Sequence, residues 1–127
     1  MRDALISLIK EAIPTVSLIY LFGSHARGNA GPDSDIDVAV LAQDLLDPVY
    51  RWDLASEIAS TLHRDVDLVD LRQASTALRM ELIRHGVCLY QRNQEAEHLE
   101  MTTLSMYQHL QQERAEILAD FKQSLHQ

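Results

Sequence analysis

Cysteine occurs once in the 127 residues, so no disulfide can form within the chain. Cys88 lies in the apolar run "VCLY", where a small buried hydrophobe is expected rather than a reactive thiol. No apolar stretch comes near the ~20 residues needed to cross a bilayer. The N-terminal "MRDALISLIKEAI" carries Asp3, Lys10 and Glu11 and no small-residue cleavage site, unlike a secretory signal. These absences lead to the expectation of a cytoplasmic protein without membrane contact. Basic residues are scarce too: 11 Lys and Arg stand against 19 Asp and Glu, a net charge of −8. Affinity for a nucleic-acid backbone rests on Lys and Arg displacing counterions, so direct nucleic-acid binding is not expected. A basic partner, or a site that collects cations, suits the balance better. The length suits one domain with one core.

Glycine and proline are sparse, with four and three in the chain, so where they gather is informative. Three of the glycines and one proline fall between Gly23 and Pro32, inside "LFGSHARGNAGPDSDIDVAV". From Gln94 to Leu125 there is neither, and Tyr107, Leu110, Ile117, Phe121 and Leu125 make a helical stripe interrupted at Arg114. Upstream, Asp3 is placed to cap a helix carrying Leu5, Leu8, Ile9 and Ala12, ended by Pro14. "VSLIYLF" (16–22) reads as a strand covered on both faces. A loop over Gly23–Pro32, with a helical turn starting after Gly23, precedes a second strand over Asp35–Leu41. Asp47-Pro48 is a helix start, an N-cap followed by proline at the first helical position. Trp52, Ala55, Ala59 and Leu62 form that helix's expected stripe. "DVDLVDL" (65–71) alternates as a third strand, with Asp70 near its end. A helix over Gln73–His85 stops at Gly86, and Val87–Gln91 is a short fourth strand. Alternating strands and helices give an α/β or α+β domain over residues 1–91. A C-terminal helical extension covers residues 92–127.

Three chemistries fit the glycine-rich stretch at first sight. Gly23 to Gly28 matches the first half of a P-loop, but Asn29 and Ala30 stand where the phosphate-reaching lysine and the magnesium-binding hydroxyl belong. Asp33, Asp35 and Asp37 mimic the start of a calcium-binding EF-hand loop, yet Val38 replaces its turn glycine and Asp44 its bidentate glutamate. A two-metal nucleotide site survives. Residues two apart on a strand project to one side, so Asp35 and Asp37 stand together. Two carboxylates ~4 Å apart repel by up to ~4 kcal/mol at an effective dielectric near 20, a clash that a divalent cation relieves. Magnesium takes hard oxygen ligands and few protein carboxylates, filling its other positions with water and substrate phosphates. Gly23 and Ser24 can set backbone N–H groups and a hydroxyl against a phosphate, and Arg27 can add a charged fork. Gly28 can serve turn geometry alone, as can Gly31 before Pro32. Asp33 and Ser34 fit turn-capping as well as a phosphate contact. His25 and His63 have no partner at metal-ligand spacing and read as surface residues.

Gly23-Ser24, ten intervening residues and Asp35-x-Asp37 resemble the signature of the polymerase-β-like nucleotidyltransferase superfamily. The wider string is similar to its short members, the minimal nucleotidyltransferases (MNT). The resemblance covers roughly residues 15 to 90. It implies a small mixed sheet of about four strands flanked by helices, with a third carboxylate on a neighbouring strand. Asp67 best matches that position, and Asp65 projects from the same face. The resemblance further implies AMP transfer from ATP to a hydroxyl, with release of pyrophosphate and two magnesium ions held by Asp35, Asp37 and Asp67. Ser34 joins Gly23, Ser24 and Arg27 as a nucleotide contact. Proteins of this kind are similar to antitoxins that modify a hydroxyl, a tyrosine foremost, of a HEPN-domain ribonuclease toxin encoded nearby. After about residue 91 a single helical segment is too little to enclose a small acceptor, which favours an acceptor on another protein. The C-terminal stripe either docks that protein or packs back on its own domain. Two other readings stand beside this one. The chain can be a binding antitoxin that masks its toxin by contact, or a small-molecule nucleotidyltransferase whose acceptor pocket forms between copies.

Overall fold

The computed structural model describes residues 1–31 and 34–125. The expectations for Pro32 and for Asp33 as a turn residue fall outside them, as do the last two residues of the extension. The helix Arg2–Ala12 (α1) leads to a strand Leu18–Phe22 (β1), a short helix Gly23–Arg27 (α2) and a strand Ile36–Leu41 (β2). A helix Pro48–Leu62 (α3) and a strand Val66–Asp70 (β3) follow, then a single 3-10 turn over Leu71–Gln73. The helix Thr76–His85 (α4), the strand Val87–Gln91 (β4) and the helix Glu95–Leu125 (α5) complete the order. The four strands form one mixed sheet in the order β3-β2-β1-β4. β1 runs antiparallel to β2 and β4, while β2 and β3 are parallel. This is the small mixed sheet flanked by helices that the resemblance implied.

Strand alternation sends successive residues of each strand to different cores. Ile19, Leu21, Ile36, Val38, Val40 and Leu68 pack with Leu5 and Ile9 of α1 and Leu54 and Ile58 of α3. Leu18, Tyr20 and Ala39 face the other way, onto Leu71, Leu82 of α4 and Leu99 of α5. Because β1 is internal and both its faces are covered, its first four residues are buried. Odd-numbered positions of β2 and β3 point to the α4/α5 side, and those helices cover only its far end. That leaves the C-terminal side of β1 and the starts of β2 and β3 open to solvent on this face.

Several expectations are corrected. Met1, not Asp3, is the N-cap of α1, and Asp3 sits in the first turn, where its charge suits the positive end of the helix. α4 begins at Thr76 rather than Gln73, because Ser75 accepts the Leu78 N–H at 3.1 Å and the 3-10 turn intervenes. Gly86 does stop α4, but with φ −76. Glycine suits it for space: a Cβ would lie 2.5 Å from the Leu82 carbonyl oxygen. The buried stripe of α3 is Leu54 and Ile58; Ala55, Ala59 and Leu62 are half-buried, and Trp52 is 74% exposed. Cys88 is exposed, its Sγ donating to the Tyr90 carbonyl, because β4 is an edge strand. Asp47 caps α3 as expected, accepting the Tyr50 N–H at 3.1 Å. α5 buries Leu99 and Thr103 against the domain, and from Leu104 onward only Tyr107 is even half-buried.

Candidate active site

The parallel pairing of β2 with β3 sets Asp37 directly beside Asp67. Both are odd-numbered residues, so both carboxylates leave the sheet on the open side. Asp35, exposed, lies just ahead of β2 and two residues from Asp37. Across the other flank Asp37 pairs with Phe22, the last residue of β1, so the turn into α2 starts beside it. Gly23 makes that turn with φ +70. A Cβ on Gly23 would stand 3.2 Å from the Asp37 Cγ and closer still to a carboxylate oxygen. The glycine is therefore fixed twice, by its left-handed backbone and by the carboxylate lying over it.

Among the described residues, the Asp35, Asp37 and Asp67 carboxylates accept no hydrogen bond. Asp70, on the same strand as Asp67, behaves differently: it is 2% exposed and accepts the N–H groups of Leu46 at 2.9 Å and Arg72 at 3.0 Å. Asp70 is a structural clamp, and the other three are unspent acceptors. Burial pushes the Asp37 carboxyl above the usual 3.8, and the charges of Asp67 and then Asp35 push the same way, with His25 opposing. A half-buried carboxylate with two acidic neighbours and no donor is arranged for a cation. The described residues contain no cluster of three or more His, Cys, Asp or Glu side chains already gathered for an ion. This set still fits magnesium, which needs few protein carboxylates and completes its shell with water and phosphate oxygens.

The other expected contacts lie around this centre. Ser24 is half-buried in α2, and its carbonyl accepts the Asn29 N–H at 3.2 Å, closing the helix at Gly28. Gly28 takes φ +76 at that cap with open space around it, so its role is backbone geometry. Arg27 is exposed and forms an ion pair with Glu81 of α4. The Ser34 hydroxyl accepts the Gly31 N–H at 2.8 Å, the turn-capping role foreseen for it, and its own proton stays available to donate. Asp65 precedes β3, with its carbonyl accepting the Ile36 N–H at 2.8 Å and its side chain exposed.

Sequence reasoning missed His25. It is half-buried rather than a surface residue, its Nε2 3.2 Å from the Ser34 carbonyl oxygen and 3.5 Å from Arg64 Nη1. It fastens α2 to the segment entering β2. The metal-ligand spacing sought for it was the wrong signal, because its partners are a carbonyl and an arginine from 9 and 39 residues away. Beside the carboxylates, α3 and β3 border a groove of about 500 Å³ whose lining includes Asp65 and Asp67.

The Polymerase beta, Nucleotidyltransferase family profile matches residues 4–95. The chain is 50% identical to Protein adenylyltransferase MntA of Shewanella oneidensis over 119 residues, 94% of this chain and 86% of that one. A crystal structure of a toxin–antitoxin with AMP-PNP aligns with a TM-score of 0.85 and 49% identity, covering 94% of this chain and 96% of the other. A structure of the tri-AMPylated Shewanella oneidensis HEPN toxin in complex with MNT antitoxin aligns at 0.79 and 47% identity, covering 94% and 93%. The sequence match and the shared fold both span most of the chain, and on that basis it belongs to the polymerase-β nucleotidyltransferase family.

Proposed function

We propose that this protein transfers AMP from ATP to a hydroxyl, foremost a tyrosine, of a HEPN-type ribonuclease toxin and thereby neutralises it as an antitoxin. One observation carries the reading: Asp37 and Asp67 stand side by side on β2 and β3 with Asp35 two residues ahead, and among the described residues none of the three carboxylates accepts a hydrogen bond, beside a glycine turn with no side chain to crowd Asp37. The likeness to a protein named as a protein adenylyltransferase, and to an antitoxin solved with an AMPylated HEPN toxin, supports the choice of acceptor.

In the proposed mechanism Asp35, Asp37 and Asp67 would hold two magnesium ions. When bound, magnesium supplies the positive charge that steadies the triphosphate and makes the acceptor hydroxyl more acidic. The Gly23 turn, the Ser24 hydroxyl and the free amides opening α2 bind phosphate oxygens, and Ser34 adds its hydroxyl. Arg27 reaches the phosphates with guanidinium N–H groups not given to Glu81. The acceptor oxygen attacks the α-phosphorus in line, forming the new O–P bond as the bond to the β-phosphate bridge breaks and pyrophosphate leaves. Asp67, on the acceptor side, accepts the hydroxyl proton. His25 keeps α2 and the start of β2 in register through Ser34. The proposed setting is the cytoplasm, where both ATP and the toxin's RNA targets are found. Residues 1–91 form the catalytic unit and 92–127 the extension that meets the toxin.

A contact-only antitoxin is the second reading, favoured by the exposed apolar side chains along α5. The two separate cleanly. The toxin's ribonuclease activity is measured after incubation with wild type or the Asp35→Asn/Asp37→Asn variant, with and without ATP. AMP transfer requires that only wild type with ATP leaves the toxin inactive after the antitoxin is removed. Equal neutralisation by the variant at equal stoichiometry establishes masking by contact.

A further inference from the structure

β3 is an edge strand: β2 pairs with one side of it, and among the described residues no strand pairs with the other. The Ile36 N–H bonds to the Asp65 carbonyl, which fixes the parity of the ladder. Asp67 therefore turns its main-chain groups toward β2, and Val66 and Leu68 turn theirs outward. Among the described residues the single hydrogen bond to this outer rail is from Arg51 of α3 to the Leu68 carbonyl, at 3.3 Å. Unpaired strand edges are templates for another strand. This one forms a wall of the groove of about 500 Å³ whose opposite side is α3, lined there by Arg51, Trp52, Ala55 and Ser56.

Trp52 is the second observation. It is 74% exposed, and Val49, one helical turn before it, is 66% exposed. A tryptophan left out of the core at the lip of a groove is the residue type that most often anchors a partner. The third is charge and continuity. Asp65 and Asp67 line the same groove along the β3 edge, and the carboxylate of Asp67 leaves that edge on the opposite face, with Asp37.

We propose that the groove between α3 and β3 receives the acceptor segment of the partner protein, an extended and net-basic stretch that adds to the outer edge of β3 and packs on Trp52. Strand addition supplies main-chain hydrogen bonds to Val66 and Leu68, and alternate side chains point into the groove. Running along this edge, the segment brings its hydroxyl beside Asp67. The assignment rests on the proposed AMP transfer, since it names where that reaction's acceptor lies.

The test combines exchange with kinetics, using the intact HEPN-domain protein encoded beside this chain as the probe. Hydrogen–deuterium exchange is followed on peptides spanning 64–70 as the partner is added. AMP transfer is measured for wild type, Trp52→Ala and the groove-filling Ser56→Arg. Both substitutions are at exposed positions outside the nucleotide site. The expected result is slowed exchange at Val66 and Leu68, and a KM for the partner raised about tenfold or more with kcat and AMP-PNP affinity within about twofold. Unchanged KM in both variants overturns the proposal, as does a stable complex in which protection is confined to α5. A wild type that transfers no AMP yet shows protected β3 amides sinks the proposed activity but supports the groove as the docking edge.

Discussion

At the residue scale, the site is defined by what its carboxylates lack. Asp70 is buried and doubly donated to, so its removal orphans the Leu46 and Arg72 amides. Asp70→Ala is expected to cost about 2–4 kcal/mol, read by chemical denaturation. Asp37 is the reverse case. Burial first, then Asp67 and Asp35, raises its carboxyl above 3.8 in the folded state. A raised folded value means the contribution to stability is present below pH 3.8 and is lost as pH rises through the folded value. Asp37→Asn is therefore expected to melt above wild type at pH 7 without divalent cations, with the gap closing as the pH is lowered toward 3.8. Added magnesium is expected to raise the melting temperature of wild type and leave the variant unmoved. A variant that melts below wild type at pH 7 contradicts the assignment. Gly23→Ala meets both a positive φ and the Asp37 carboxylate. Its expected cost is about 1–3 kcal/mol of stability, with transfer slowed about 100-fold as Asp37 is displaced.

At the element scale, α5 is the outlier. Its 31 residues span about 46 Å, yet its buried residues are confined to its first turns, at Leu99 and Thr103. Ile117 is 67% exposed and Phe121 60%, on a helix with no tertiary reason to hold them. Ending the chain after His109 is expected to change stability by less than about 1 kcal/mol and to abolish capture of the proposed HEPN-domain partner while AMP-PNP binding persists. Calorimetry and pull-down read the two halves. The stripe on α5 was legible in the sequence because it has helical period, but period cannot say whether an apolar face meets its own domain or another. The same ambiguity misplaced the stripe of α3. Trp52, Ala55, Ala59 and Leu62 share a helical face, and so do Leu54 and Ile58; only the position of the sheet decides between them. Helix starts marked by side-chain chemistry fared better where the cap was specific, as at Asp47-Pro48, than where any acidic residue near the start would serve, as at Asp3.

At the scale of the whole molecule, the short mixed sheet has one task that local sequence does not describe. It brings residues 23, 37 and 67 together by placing β2 between β1 and β3. The Gly-Ser and Asp-x-Asp pattern was readable because its elements adjoin along the chain. Asp67 was named through the family resemblance with Asp65 left open beside it, and the β2–β3 register pairs Asp67, not Asp65, with Asp37. His25 was missed because its partners lie on separate segments. A net charge of −8, and carboxylates that accept no hydrogen bond among the described residues, suit the proposed gathering of cations and a basic partner.

The most direct test of the proposed transfer is intact-protein mass spectrometry of the proposed HEPN-domain partner after mixing with this protein, ATP and magnesium, beside the Asp35→Asn/Asp37→Asn variant. A gain of one or more AMP units on the partner is expected with wild type and none with the variant. A stable complex with no added AMP, or an equal gain from the variant, would contradict it.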